Sequence, residues 1–263
     1  MNSLDELLQQ VPEWVEVESR KSKKAVIRAT CVRDSGALGD VYSLAVEQLA
    51  SDQIKIYETK AEQKLPKCCV ERHINSDSSF CLHLDSSKPV GSPKAARDWW
   101  NSLARYLSNQ EYAARFGRWP INQGLSHGDA ATTQVEMERL ADTVGWTDEV
   151  LSSIFRGTGF LHDAPLRLSK DKSRFVNLRT PCPRGCKRLH FPYRKRSCER
   201  HECKTDCQRD HHPILRASCP NRDVIERLNR LEIKRRSRER ELLNDLKQSK
   251  TSCCGTMKDC PLA

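Results

Sequence analysis

Charge and cysteine are divided so unevenly along this chain of 263 residues that one uniform domain cannot account for them. Residues 1–160 carry 19 Lys/Arg against 22 Asp/Glu, a balance of −3, whereas residues 161–263 carry 26 against 13, a balance of +13. Nine of the thirteen cysteines, from Cys182 onward, lie in that basic part. Two regions with different physical tasks follow, and the length has room for one medium domain and a smaller one. With 37% of residues hydrophobic and 30% charged, part of the chain is expected as solvated helix or loop. The sequence holds no apolar run long enough to span a bilayer, and its start, MNSLDELLQQVPEW, lacks a basic stretch followed by an apolar one. A soluble, cytoplasmic protein is therefore expected, with no membrane partner. In a reducing compartment its cysteines read as metal ligands or reactive thiols, not as a disulfide framework.

In the N-terminal part, SLDELLQQV at 3–11 predicts a short helix: Ser3 stands as cap, Glu6 three positions on, and Leu4, Leu7, Leu8 and Val11 share a face. Strand-like runs follow at 25–32, 41–49 and 54–58, separated by the turn-forming DSGALGD and SD. After the irregular CCVERHINSDSSFCLHL comes an amphipathic segment with Trp99, Trp100, Leu103, Tyr106 and Leu107 at helical spacing, opened by Ser92 and Pro93. This order predicts an α+β domain over 1–110, an antiparallel sheet flanked by helices. Residues 111–175 read as a helical extension, in which Tyr112, Phe116 and Trp119 can pack against the preceding helix. Its helices are expected at about 129–144 and at 148–155, the second capped by Thr147. Ser126, His127 and Asp129 hold the residue types of a hydrolase triad, but three residues within four positions rarely reach that geometry; a loop opening a helix is the better reading.

Cys81 stands where the polar NSDSS turn runs into an apolar segment, between Phe80 and Leu82. Residue types alone leave three roles open: a small core hydrophobe, a metal ligand with the flanking His73 and His83, or a nucleophile. Cys31, inside an apolar strand-like run, is expected in the core. Of the adjacent Cys68 and Cys69, one is expected in the core and one at the surface, because successive extended side chains diverge.

The stretch Asn75-Ser76-Asp77-Ser78-Ser79-Phe80-Cys81-Leu82, preceded by Leu65-Pro66, resembles the polar turn and active-site strand of ubiquitin-conjugating enzymes. The resemblance covers roughly residues 1–110 and rests on about a dozen diagnostic positions. It departs from the family at three of them. The asparagine of the family's His-Pro-Asn turn falls on His73 with no proline beside it; the turn glycine is Ser78; and an aspartate past the cysteine is His83. Bacterial members often carry histidine where the eukaryotic enzymes have asparagine. The resemblance implies a thioester carrier with Cys81 as nucleophile and His73 as the group that stabilises the tetrahedral oxyanion or relays a proton. It also implies an activating enzyme and a ubiquitin-like protein as partners, an acceptor protein, and an operon of the antiphage type.

From 176 to 263 the chain reads as a basic Cys/His-rich module. Cys182, Cys186, Cys198, Cys203, Cys207 and Cys219, with His201 among them, supply close pairs joined by longer spacers, and the tail adds Cys253, Cys254 and Cys260. Such pairs suit tetrahedral structural zinc, which would contribute the folding free energy that few large apolar residues here can. Between the two cysteine groups, 223–248 predicts a charged helix capped by Asp223, able to return the tail to the first group. Two other function classes fit the composition. One is a zinc-dependent nucleic-acid-binding protein anchored by Arg194–Arg196 and Arg235–Arg236; the other is an inactive conjugating-enzyme-like scaffold.

Overall fold

A computed structural model describes residues 2–33, 35–82, 89–120, 123–162, 168–173, 175, 220–258 and 260–262. The chain divides into two compact units, Met1–His127 with Glu241–Ala263, and Gly128–Arg240. Among the described residues no helix is long and apolar enough to cross a membrane.

The first unit is α+β. Helix α1 (Ser3–Gln9) precedes four antiparallel strands in sequential order, β1 (Val15–Lys21), β2 (Lys24–Val32), β3 (Leu38–Gln48) and β4 (Ile54–Glu58), and helix α2 (Pro93–Phe116) follows. Strand β2 alternates as a half-buried strand should, with Ala25, Ile27, Ala29 and Cys31 inward. Ile27 pairs with Leu44 and Val46 with Ile56, so the inward side chains of three strands form one apolar face. Helix α2 supplies Trp99, Trp100, Leu103 and Leu107 to the same core, and the Trp100 indole donates to the Leu7 carbonyl at 3.0 Å, tying α1 to α2. Cys31 is the core residue expected; of the adjacent pair Cys69 is buried and Cys68 partly exposed.

Several expectations change in detail. Strand β1 was not expected: VESRK has no apolar alternation because the strand lies at the sheet edge and buries Val15 alone. Asn2, not Ser3, caps α1, its side chain accepting from the Asp5 amide; the Ser3 hydroxyl instead accepts from the Val90 amide and donates to Asp52. Ser92 caps α2 with Pro93 in its first turn, but the helix runs on through residue 110 to Phe116, where Gly117 in the left-handed region ends it.

The second unit is helical where it is described. It holds α3 (Ala130–Asp142), α4 (Thr147–Phe155) and most of α5 (Arg222–Gln248). Asp129 and Trp146 precede α3 and α4 without side-chain caps, so Thr147 lies inside α4; Asp223 lies in the first turn of α5. Met137, Ala141, Trp146, Val150, Phe160, Leu161, Ile225 and Leu228 form its core. Cys182, Cys186, Cys198, Cys203, Cys207, Cys219 and His201 lie outside the described residues.

Candidate active site

The site is built on a turn that the sheet and α2 hold from two sides. A single 3-10 turn, Val70–Arg72, ends at His73, whose backbone is left-handed (φ 53°). Cys69 and Ile74 exchange both backbone hydrogen bonds at 3.0 Å, closing the base of this turn. From Ile74 the chain makes the NSDSS turn, in which the Ser78 amide donates to the Asn75 carbonyl at 2.9 Å and Ser78 has φ 67°. A left-handed residue there is the physical reason that the resembling family uses glycine at this position. Asp77 organises the turn by accepting from the Ser79 amide at 3.0 Å and the Ser79 hydroxyl at 2.6 Å, and it pairs with Lys55 at 2.8 Å. Burial alone would raise the Asp77 carboxyl, but the bonds from Lys55 and Ser79 together bring it down to about 2.

Beyond the turn, Phe80 bonds the Ile56 carbonyl of β4 through its amide at 2.9 Å and stacks on Tyr106 of α2 with ring centroids 4.7 Å apart. That pins Phe80 inward and leaves Cys81 exposed. The Cys81 amide donates to the His73 carbonyl at 2.9 Å, so the two residues picked out by sequence are cross-strand neighbours at the mouth of the turn. Cys81 is solvent-accessible as a residue, yet the protein crowding its sulfur pushes the thiol above its ordinary value. A metal site of His73, Cys81 and His83 is not seen: among the described residues no group of three metal-ligating side chains assembles, and His83 lies outside them.

Helix α2 fixes the other side. Tyr106 shares its hydroxyl proton between the carbonyls of Arg72 and His73, both at 3.2 Å. One turn on, the Gln110 amide donates to the Arg72 carbonyl at 2.7 Å, while the Arg72 guanidinium donates to the Gln110 side chain at 2.7 Å and to its carbonyl at 3.2 Å. The His73 ring lies against Trp119 (centroids 5.0 Å) and His127 (5.2 Å), and His127 Nε2 is 3.5 Å from the Glu71 carboxylate. Burial, with His127 adding to it, pushes His73 down to about 3, so its imidazole is neutral at physiological pH and offers one N–H donor and one acceptor.

Sequence reasoning singled out Cys81 and His73 but not Arg72, Gln110, Glu71, Trp119 and His127, which the structure places around them. Gln110 carried a signal: it falls on the stripe Leu103, Tyr106, Leu107, Ala113, a polar residue on an apolar helix face. His127 carried none, since only folding brings it to His73.

The tail residues among the expected metal ligands lie elsewhere in this unit. Cys253, Cys254 and Cys260 pack with Cys69, Ala113, Met257 and Trp119 in a small cluster. The Cys254 and Cys69 sulfurs are 2.9 Å apart, and the Cys260 thiol hydrogen-bonds Cys253.

Residues 14–121 match the family described as the prokaryotic E2 domain, a stretch that contains the whole sheet, α2, His73 and Cys81. This stretch is therefore E2-like, similar to bacterial members of the conjugating-enzyme class, and His127 lies beyond it. No curated protein and no solved structure matches the chain.

Proposed function

We propose that the protein is a conjugating enzyme that carries a ubiquitin-like modifier as a thioester on Cys81 and passes it to an amine. The observation that carries this reading is the pairing of an exposed cysteine with a half-buried, neutral histidine across one turn. In the transfer step the amine nitrogen attacks the thioester carbonyl, the C–N bond forms, the C–S bond breaks with its electron pair left on the Cys81 sulfur, and the proton that the nitrogen loses ends on that thiolate or on solvent. The intermediate is an oxyanion, which a neutral N–H donor such as His73 stabilises without first having to lose or gain charge. The raised Cys81 thiol makes the sulfur a stronger nucleophile in charging once it is deprotonated and a poorer leaving group in transfer. His127 and Glu71 act on His73 by fixing its ring against Trp119.

The activating enzyme, the ubiquitin-like protein, an acceptor protein, an antiphage operon and a cytoplasmic location belong to the same proposal. Structural zinc is proposed for residues 182–219. The nucleic-acid reading loses one of its anchors, because Arg235 is buried and bound to Glu232 and Glu239. The scaffold reading is disfavoured by the exposure of Cys81.

The test is incubation with ATP and the activating enzyme and ubiquitin-like protein encoded beside this chain, followed by a non-reducing gel. An adduct that dithiothreitol removes and Cys81→Ala abolishes is expected. If the activating enzyme charges and no adduct forms, the proposal fails.

A further inference from the structure

Cys69 and Cys254 are far apart in sequence, yet their sulfurs are in contact at 2.9 Å. Two thiolates on one tetrahedral zinc, with bonds of about 2.3 Å, sit roughly 3.7 Å apart, so this pair is closer than co-ligands would be. Nor is a third ligand gathered: Cys253 accepts from the Gly255 amide at 3.4 Å and from the Cys260 thiol, and no described group of three suits a metal. The surroundings differ across the pair. Cys69 is buried at the base of the His73 turn, exchanging backbone bonds with Ile74 and accepting from the Arg72 amide at 3.1 Å. Cys254 is partly exposed on a tail held by the Lys258 amide on the Gly117 carbonyl at 2.8 Å and by Arg72 on the Thr256 hydroxyl at 3.4 Å. Cys254 is thus the sulfur that a dissolved reagent reaches first, and Cys69 the buried one placed to resolve a bond formed on it.

We propose that Cys69 and Cys254 are a redox clasp, closed by a low-molecular-weight disulfide such as oxidised glutathione, that fastens the C-terminal tail to the turn carrying His73. The Cys254 thiolate attacks one sulfur of the glutathione disulfide, whose S–S bond breaks and releases one glutathione. The Cys69 sulfur, giving up its proton, then attacks the Cys254 sulfur and releases the second glutathione. Two electrons pass from the protein pair to the glutathione disulfide, and the two thiol protons leave on the two glutathione thiols. Sulfurs already in contact favour the second step over a lasting mixed disulfide. A transient, sensing disulfide is also the kind that a reducing compartment permits.

The test uses the full chain carrying Cys81→Ser, so the result is independent of the thioester reading. The reduced protein is treated with oxidised glutathione, alkylated and digested without reductant. The expected product is a peptide pair joined through Cys69 and Cys254, two hydrogens lighter than its reduced parts, restored by dithiothreitol and lost in Cys254→Ser. Cys68→Ser should leave it intact, which separates the adjacent cysteines. Hydrogen exchange of residues 69–74 and 253–258 should slow in the oxidised form. Glutathione retained on Cys254 with Cys69 still alkylated would overturn the proposal. So would a crosslink to a different cysteine, or bound zinc that protects both sulfurs and is lost in Cys254→Ser.

Discussion

Each unit buries an arginine, and the two arginines do different work. In the first unit Arg72 is 3% exposed and its bonds run between elements, to Gln110 of α2 and to Thr256 of the tail, while its own carbonyl accepts from Tyr106 and Gln110. In the second unit Arg235 is 5% exposed and bonds Glu232 and Glu239, one turn away on the same helix. Arg236 also reaches Glu232, its guanidinium donating to the same carboxylate. Buried charge needs partners wherever it sits. The first set positions the turn that ends at His73, because its bonds end on the backbone of residues 72 and 73. The second makes half of α5 compatible with burial and positions no described reacting group.

This contrast can be broken at several points. The largest effect is expected at the end of the first network. His73→Ala should slow transfer from the Cys81 thioester by about 100-fold in single turnover while leaving charging intact, the size of a lost oxyanion donor. His73→Asn, which restores a neutral N–H donor, should recover much of that rate; equal rates for the wild type and His73→Ala would remove His73 from the mechanism. Next, Gln110→Leu leaves the Arg72 guanidinium and carbonyl short of partners. It should destabilise the first unit by about 3 kcal/mol in urea unfolding and change the rate at which iodoacetamide labels Cys81. Arg235→Met should cost the second unit about 2 kcal/mol, less than a fully stranded charge because Arg236 still meets Glu232. Its Cys81 labelling should match the wild type, and a change there would show that the two networks are not separate in function.

Two smaller effects depend on pH. His73 is held well below its ordinary value in the folded state, so between about pH 6.5 and 3 the unfolded chain binds the extra proton. Stability of the first unit should therefore fall as pH drops through that window, by at most about 1.4 kcal/mol per pH unit, and His73→Asn should flatten the slope. Asp77 has the same sense in a lower window. Its folded value near 2 means that its contribution is complete above about pH 4 and is lost as pH falls through 2. Because the Asp77–Lys55 pair is largely solvent-exposed, Asp77→Asn should cost less than about 1 kcal/mol at neutral pH, read by thermal unfolding.

The elements that could be read from sequence are those whose periodicity is enforced by burial on one face. The alternation Ala25, Ile27, Ala29, Cys31 and the stripe Trp99, Trp100, Leu103, Tyr106, Leu107 both faced the same core, and both appear where expected. Strand β1 could not be read, since an edge strand with one buried residue has no face to reveal. The cap of α1 moved by a residue for a related reason: which of Asn2 or Ser3 caps it depends on Val90 and Asp52 claiming the Ser3 hydroxyl. For the charged helix α5, the sequence showed the pairing of signs but not that Glu232 and Arg235 are inside.

By itself, then, the sequence determined an α+β first region, a basic cysteine-rich second one, and a turn placing a cysteine eight residues after a histidine. These are local matters of periodicity, turn chemistry and spacing, legible along the chain. Tertiary structure decided that His73 is neutral, that Arg72 and Gln110 hold its backbone, that His127 and Trp119 enclose its ring, and that Cys254 meets Cys69. Those properties arise from desolvation and from contacts between residues distant in sequence, and both exist only once the core has brought the segments together.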